Sequence, residues 1–369
     1  MKQILISISA LVLCGILFAA VPSVTNVTVT PGTGQVTISY DLSADGNNCQ
    51  VIMLVSNDGG TSYNYFPTHT SGDIGNAVTK GTGKQITWYP AQDGMTIGSN
   101  YKIKLIARDN PSPSVQPVGF IKVNGGSFML HRTDTDSVQI TLSTFYLDRT
   151  EITQSEYLAV MGTNPSYFGG TDRFSLPVEK VSWFNAIEYC NRRSMQEHLT
   201  PCYSYSNYGT NPDNWPSGWN ETDSTHTNVH CDWDANGYRL PTEMEWMFAA
   251  RGGNLTHNYT YSGSDTVDVV AWYKDNSDKP QQVATKRANE LGIYDMSGNV
   301  WEWVWDIYGD YPSEDQTNPH GANDGECRVL RGGSYYYDAS LCEVSHRDCL
   351  WPTDAFDDFG FRVCRHSLQ

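Results

Sequence analysis

The sequence predicts two globular parts of different fold class, an all-β sandwich over residues 22–110 and an α+β domain with little regular structure over residues 119–366. Three observations support this division. Short runs that alternate apolar and polar residues fill the first part, and helix-capping signals recur in the second. Beyond Gly253, short aromatic runs and long loops replace any helical periodicity.

The N-terminus has the pattern of a secretory signal peptide over residues 1–20. Lys2 gives a positive start, residues 4–18 are largely apolar, and Ala19 and Ala20 are small residues suited to cleavage. The apolar run is short for a membrane anchor, and no later stretch is long enough to span a bilayer. We therefore expect a secreted, periplasmic or cell-surface protein without a transmembrane segment.

Residues 22–110 contain period-two runs, such as residues 35–40 and 101–106, separated by turn residues such as Pro31 and Gly32. Such spacing is typical of an antiparallel β-sandwich, and the segment looks like a fibronectin type III or related immunoglobulin-like module. Modules of this kind serve as spacers or adhesion domains. The proline-containing segment 111–118 then predicts a short, stiff linker.

Capping signals predict three helices in the second part. Each start has a Ser or Thr cap, and two of the caps are followed three residues later by Glu, which is the spacing of a capping box. The starts are Thr153 with Glu156, Ser182, and Thr242 with Glu245. Glycines follow the first and third helices as stop signals.

Charge and cysteine content limit the possible partners and pairings. The chain has 24 basic and 41 acidic side chains, a formal net charge of -17, which disfavours nucleic acid and anionic membranes as partners. Eight cysteines remain after residue 20, and an exported chain can form disulfides. Because each pair flanks a polar insertion, we expect Cys202 with Cys231 and Cys349 with Cys364; the other connectivity stays open.

Seven motifs occur in order across the second part, and together they resemble the formylglycine-generating enzyme (sulfatase-modifying factor) family. The resemblance implies the family's fold, a C-type-lectin-like α+β domain. The motifs are residues 126–129 (GSFM), 146–153 (YLDRTEIT), 181–191 (VSWFNAIEYCN), 237–246 (GYRLPTEMEW), 289–303 (NELGIYDMSGNVWEW), 330–334 (LRGGS) and 360–363 (GFRV).

Several motif residues also have plain structural roles. Trp246, Trp301 and Trp303 are large apolar groups for a core that is short of regular structure. Arg331 and Arg362 can hold loops by forked hydrogen bonds to carbonyls or carboxylates. We expect these five residues to specify the fold.

The loop 295–302 suggests a calcium site, since two carboxylates flank a glycine turn and calcium takes carboxylate and carbonyl oxygens. In the family this loop holds calcium. Carried over, the ligands are the side chains of Asp295 and Glu302 and the carbonyls of Gly298 and Val300. The alternative is a metal-free loop in which Glu302 accepts backbone N–H bonds.

The family oxidises a sulfatase cysteine to formylglycine with oxygen and a Cu(I) ion held by two cysteines. Cys342 matches the second of these cysteines, and Tyr337 stands in place of the first. A phenol is a poor substitute for a thiolate at Cu(I), so we do not expect copper. Trp301 and Ser334 match residues of the family's oxygen pocket, which makes Cys342, Ser334 and Trp301 the candidate catalytic set. A Cys342–His346 nucleophile is a weaker alternative.

Two kinds of function follow from this pattern. The first is non-catalytic binding of a protein, peptide or glycan ligand through variable loops on the lectin-like face. The loops at 335–338, 345–348 and 350–358 are rich in aromatic and acidic residues, as in antibody loops. The second is a copper- and oxygen-dependent oxidase. A third alternative is a structural role in an exported assembly, which no particular residue indicates.

Overall fold

A computed structural model of the chain describes most residues from 22 onwards. The described residues are 22–44, 48–57, 59–60, 63, 67, 69–93, 95, 101–109, 119–132, 136–169, 175–197 and 199–366. The predicted signal peptide and the predicted linker 111–118 lie outside the described residues.

The N-terminal part consists of two antiparallel sheets, as the alternating sequence predicts. One sheet has the order β1-β2-β6-β4 and the other β5-β3-β7. The strands are β1 (Ser23–Pro31), β2 (Val36–Ser43), β3 (Asn48–Ser56), β4 (Thr70–Gly72), β5 (Gly75–Thr79), β6 (Gly81–Trp88) and β7 (Lys102–Asp109).

One apolar core joins both of these sheets. Ile38, Tyr40 and Trp88 from the first sheet pack in the same cluster as Val51 and Val55 from the second. These residues sit at alternate positions of their strands, which is why a period of two in the sequence produced a single buried face. The part is an all-β module; its likeness to fibronectin type III stays a prediction.

All three predicted helices are present in the second part. α1 (Gln154–Met161) follows Thr153, α2 (Trp183–Gln196) follows Ser182, and α3 (Glu243–Ala250) follows Thr242. Each cap side chain accepts a hydrogen bond from the backbone three residues on, and that residue's side chain returns one. A single further turn, α4 (Val267–Val270), was not predicted.

Small sheets and long loops make up the rest of this domain. The sheets have the orders β16-β10-β9, β14-β20-β11-β8, β12-β13 and β18-β17-β15-β19. The strands are β8 (Phe120–Val123), β9 (Gly126–His131), β10 (Ser137–Leu142), β11 (Phe145–Asp148), β12 (Tyr203–Tyr205), β13 (Val229–Cys231), β14 (Tyr238–Arg239), β15 (Trp301–Ile307), β16 (Gln316–Thr317), β17 (Arg328–Arg331), β18 (Arg347–Leu350), β19 (Phe359–Phe361) and β20 (Cys364–His366).

Aromatic side chains fill the core between these elements. Trp246, Trp301 and Trp303 are each at most 2% exposed, so their predicted structural role is confirmed. Trp303 also donates its indole N–H to the carbonyl of Val181, at 2.9 Å. Large rings thus do the packing that longer helices and strands do elsewhere. Within the described residues, no helix has both the length and the apolar character needed to span a membrane.

Candidate functional site

The predicted calcium loop is a tight turn that leads into β15. Asp295, Gly298 and Asn299 all have positive φ, at 58°, 78° and 65°. A Cβ on Gly298 would lie 2.2 Å from the carbonyl oxygen of Trp272, so only glycine fits at this position. The turn is therefore specified by close backbone approach, independently of any ion.

Glu302 does not face an open site. Its Oε1 accepts a hydrogen bond from Arg362 Nη2, and its Oε2 accepts from Arg362 Nε and from the indole N–H of Trp246, at 2.7 to 2.8 Å. Both Glu302 and Arg362 are 0% exposed. The carboxylate thus balances a buried guanidinium. In this arrangement the Glu302 carboxylate bonds side chains. It differs both from the expected calcium ligand and from the alternative in which Glu302 accepts backbone N–H bonds.

Asp295 has a different neighbour, Glu151, at the end of the segment before α1. Asp295 Oδ2 accepts a hydrogen bond from the backbone N–H of Ala284, at 2.7 Å. Burial raises the pKa of Asp295 to about 6. Burial first, and then the nearby Asp295, raise the pKa of Glu151 well above its usual range.

Glu151 is 1% exposed, and its carboxyl group lies within hydrogen-bonding reach of the carboxyl group of Asp295. Three acidic groups, Glu151, Asp295 and Glu302, thus surround one guanidinium, that of Arg362. A cation bound beside Asp295 and Glu151 would stabilise their ionised forms, which burial disfavours in its absence. However, the described residues hold no group of three or more His, Cys, Asp or Glu side chains arranged to bind a metal. Asp295 and Glu151 fit calcium better than Glu302 does.

Cys342 lies at the end of a short turn, 0% exposed, in a small apolar cluster with Ala271 and Tyr273. A Cβ added to Gly333 would lie 2.8 Å from the Cys342 sulfur, which shows how closely the backbone covers it. Burial raises the pKa of the thiol to about 12. The sulfur is therefore a neutral thiol at physiological pH and a poor nucleophile.

The structure brings the other two candidate catalytic residues together around Asp358. Ser334 Oγ donates to Asp358 Oδ2 at 2.7 Å, and the backbone N–H of Trp301 donates to the Asp358 carbonyl at 2.8 Å. The ring of Trp301 lies 5.9 Å from that of His346. Within the described chain, no hydrogen bond joins His346 to Cys342, so the Cys–His alternative gains no support.

Tyr337, at the position of the missing copper ligand, belongs to a continuous series of aromatic rings. Neighbouring centroids lie 5.1 to 6.3 Å apart from Tyr167 through Phe168, Tyr335 and Tyr336 to Tyr337. We call these five residues the aromatic surface. Three of them are well exposed: Tyr167 at 69%, Tyr336 at 66% and Tyr337 at 39%.

The aromatic surface is anchored through its backbone. The carboxylate of Glu179 accepts hydrogen bonds from the N–H groups of Tyr167 and Phe168, at 2.9 and 2.8 Å. Tyr335 donates its N–H to Asn299, and the Tyr337 carbonyl accepts from the N–H of Lys274. Trp351 and Phe356 are exposed too, at 39% and 52%, but make no ring contact with this series in the described part of the chain.

The predicted disulfides are absent: all eight described cysteines are free thiols. The pairing of Cys349 with Cys364 is wrong in geometry, because Cys364 lies 2.9 Å from Arg239 Nη1 whereas the Cys349 side chain hydrogen-bonds that of Cys327. The sequence pointed to insertions flanked by cysteines. It did not show that β17 and β18 would pair and bring Cys327 beside Cys349.

Sequence reasoning missed three functional candidates, Glu151, Glu179 and Asp358. Glu151 was visible as an acidic residue inside a quoted motif, directly before a run of buried residues. Glu179 lies in a loop without a motif, and Asp358 ends the loop 350–358, which the sequence marked only by its aromatic and acidic composition. Their partners are 11 to 24 residues away in sequence, so no local signal identified them.

Comparison with known proteins agrees with the motif pattern. Residues 107–367 match the family described as sulfatase-modifying factor enzyme 1-like domain. The chaperone protein LppX of Paenibacillus barcinonensis is 38% identical over 263 residues, which cover 66% of this chain and 88% of that protein. The formylglycine-generating enzyme of Thermomonospora curvata is 26% identical over 316 residues, covering 70% and 98%.

Solved structures agree as well. Treponema denticola variable protein 1 superposes with a TM-score of 0.61 at 32% identity, covering 67% of this chain and 94% of that one. CarF gives a TM-score of 0.54 at 28% identity, covering 68% and 99%. This chain is similar to formylglycine-generating enzymes, and it belongs to the sulfatase-modifying factor enzyme 1-like family.

Proposed function

We propose that this protein is an exported, non-catalytic member of the family that binds a protein or glycan ligand through the aromatic surface. The observation that carries the proposal is the position of Tyr337. Where catalytic relatives place a copper cysteine, this chain has a half-exposed phenol that continues a row of aromatic rings. The position thus contributes to a contact surface in place of a metal site.

The composition of the surface suits recognition. Tyrosines offer large, rigid, amphipathic contact area at little cost in conformational entropy, as in antibody loops. Acidic groups border them: Asp338 pairs with Lys274 at 3.0 Å, and burial, followed by the nearby Asp357 and Asp358, raises the pKa of Tyr335. A ligand with hydroxyl or amide donors and apolar faces would match this surface.

Within this proposal, the family domain is lectin-like: short sheets support the irregular loops that carry the ligand site. The all-β module before it would act as a spacer or as a second adhesive module of fibronectin type III type. Treponema denticola variable protein 1 shares the fold of this domain, and its name gives no ligand. The similarity to a protein named as a chaperone is compatible with a non-catalytic role.

A glycan and peptide array tests the binding proposal. We expect the full chain to bind a defined subset of probes, and Tyr336→Ser to abolish that binding without changing the melting temperature. Tyr208→Ser is the matched control, since Tyr208 is 49% exposed but outside the aromatic surface. Equal loss in both variants, or unchanged binding in Tyr336→Ser, would contradict the proposed site.

The second candidate function is oxidation of a protein cysteine. It is favoured by the retention of Cys342, Ser334 and Trp301 in one region, and by the similarity to formylglycine-generating enzymes. It is opposed by Tyr337 and by the buried, high-pKa thiol of Cys342.

We would incubate the chain with Cu(I), oxygen and a sulfatase-type cysteine peptide and follow the peptide by mass spectrometry. Unchanged peptide is expected, with the formylglycine-generating enzyme of Thermomonospora curvata as the positive control. Tyr337→Cys restores the missing thiol of the copper pair. This variant tests whether residue 337 alone limits copper binding. An aldehyde product from the wild-type chain would establish the oxidase.

We also propose that calcium binds at Asp295 and Glu151, with the carbonyls of Gly298 and Val300, while Glu302 stays paired with Arg362. The close approach of the two buried carboxyl groups, those of Glu151 and Asp295, supports this set. Calcium should raise the melting temperature of the wild-type chain and leave that of Glu151→Gln unchanged. A Glu151→Gln variant that still responds to calcium would exclude Glu151 as a ligand.

A further inference from the structure

A cavity of about 290 Å³ lies between β15, the start of β17 and the loop that follows β16. Its walls include the indoles of Trp233 and Trp305 and the imidazole of His320. Trp233 stacks on His320 with ring centroids 3.6 Å apart, and its edge meets Trp305 at 5.7 Å. The cavity is therefore rigid and aromatic, and it lies near the lower size limit of small-molecule sites.

Arg328 lines this cavity and is 2% exposed. Its guanidinium carbon lies 3.8 Å from the ring centroid of Trp183 and 5.0 Å from that of Trp305. Nη1 donates to the Trp305 carbonyl, and Nη2 donates to the His226 carbonyl at 3.3 Å. Nε has no acceptor. The Nε side of the guanidinium, where a carboxylate could bind with two hydrogen bonds, thus has a donor that is not used.

No carboxylate among the described residues forms an ion pair with Arg328, and this distinguishes it from the other arginines of the core. Asp306 attracts Arg328 only from beyond ion-pair distance, and a buried charge without a contacting counter-ion is unfavourable, so a bound anion would stabilise it. The other fully buried arginines each pair with a glutamate at 2.6 to 2.8 Å: Arg239 with Glu245, Arg331 with Glu243, and Arg362 with Glu302.

His226 provides a second unused polar atom on the same wall. Its side chain lines the cavity, its residue is 1% exposed, and its Nδ1 has no hydrogen-bond partner. The ring hydrogen-bonds the backbone of Gly325, which fixes its orientation. Two buried residues, Arg328 and His226, thus line one cavity, and each has a nitrogen without a hydrogen-bond partner among the described residues. No carboxylate is among the residues that line this cavity.

We propose that this cavity binds a small planar carboxylate, whose anionic group bonds the guanidinium of Arg328 and whose apolar body packs against Trp305 and Trp233. A single guanidinium with no lysine among the lining residues fits a monoanion better than a phosphate dianion. The site is independent of the aromatic surface, since it shares no residue with it.

Benzoate is a suitable probe, and benzamide is its neutral isostere. We expect benzoate to raise the melting temperature of the full chain and to change its tryptophan fluorescence, and benzamide to do neither. Arg328→Met should keep the fold, because removing an uncompensated buried charge is tolerated, and should weaken benzoate binding about tenfold or more.

Two further variants keep the test decisive if Arg328→Met does not fold. Thr227→Trp adds bulk at an exposed lining residue and should also block benzoate. His366→Asn alters a neighbouring cavity and should leave binding intact. Equal responses to benzoate and benzamide, no response to benzoate, or full binding by Thr227→Trp would overturn the proposal.

Discussion

Arg362 donates two hydrogen bonds to Glu302, from Nε to Oε2 and from Nη2 to Oε1, and each is 2.7 Å long. Arg362 Nη2 also donates to the carbonyl of Tyr294, at 3.0 Å. The pair therefore joins the loop before β15 to β19's C-terminal end. It fixes the turn that the sequence predicted as a metal loop.

Breaking this pair should strongly destabilise the domain. Glu302→Gln leaves a buried guanidinium without its counter-ion, and we expect a loss of about 3–5 kcal/mol in the free energy of unfolding. Urea denaturation followed by tryptophan fluorescence measures it. Asp213→Asn is the control: its carboxylate pairs with Arg192 but is 65% exposed, so the change should cost less than about 1 kcal/mol. Similar losses in both variants would mean that Arg362 finds another counter-ion, such as Asp295.

Glu179 should make stability depend on pH. Burial raises its folded-state pKa from 4.5 to about 7, with Asp357 adding to the rise and Lys180 opposing it. Between these values the folded chain holds a proton that the unfolded chain has released, so stability falls as pH rises from about 4.5 to 7.

Glu179→Gln cannot ionise and should lack this component, which we expect to be on the order of 1 kcal/mol or more. Thermal unfolding of both proteins between pH 4.5 and 8 makes the comparison. Parallel pH profiles for the wild-type chain and the variant would show that folding does not raise the pKa of Glu179.

Cys342 should resist alkylation. With a pKa of about 12 and no exposed surface, its sulfur is almost wholly protonated and covered at neutral pH. Mass spectrometry after iodoacetamide treatment should find Cys342 unmodified in the folded chain and modified in urea. Cys327, which is partly exposed, should react in the folded chain. Rapid labelling of Cys342 in the folded chain would contradict this prediction and support a nucleophilic role for the thiol.

Cys327 and Cys349 should form a disulfide under oxidising conditions. Oxidised glutathione would take the two electrons, and the thiol protons would leave with the reduced glutathione. Closing a loop of about twenty residues should stabilise the chain by about 3 kcal/mol in the loop-entropy account. Peptide mapping without reductant identifies the bond, and Cys349→Ser should lack it. A bond from Cys202 to Cys231 under the same conditions would instead favour the sequence-based pairing.

What the sequence could predict was local. Thr153, Ser182 and Thr242 mark helix starts because a capping hydrogen bond spans only three residues. The forked hydrogen bonds expected of Arg331 and Arg362 are confirmed, since two buried arginines in a loop-rich core must find several acceptors.

What the sequence could not predict depends on distant pairing. Glu302 meets Arg362 only because β15 and β19 lie side by side as parallel strands. From the local sequence 295–302 alone, the Glu302 carboxylate was equally suited to bind calcium. The cavity beside Arg328 combines residues from positions 226 to 328, and no spacing rule connects them.

The anchoring of the aromatic surface leaves its chemistry open to change. Glu179 holds Tyr167 and Phe168 by their amide groups, and Asn299 and Lys274 hold Tyr335 and Tyr337 by backbone atoms as well. Because these hydrogen bonds involve backbone atoms, they do not depend on which side chain occupies the position. New specificities could therefore be selected by randomising the exposed positions while the scaffold stays the same.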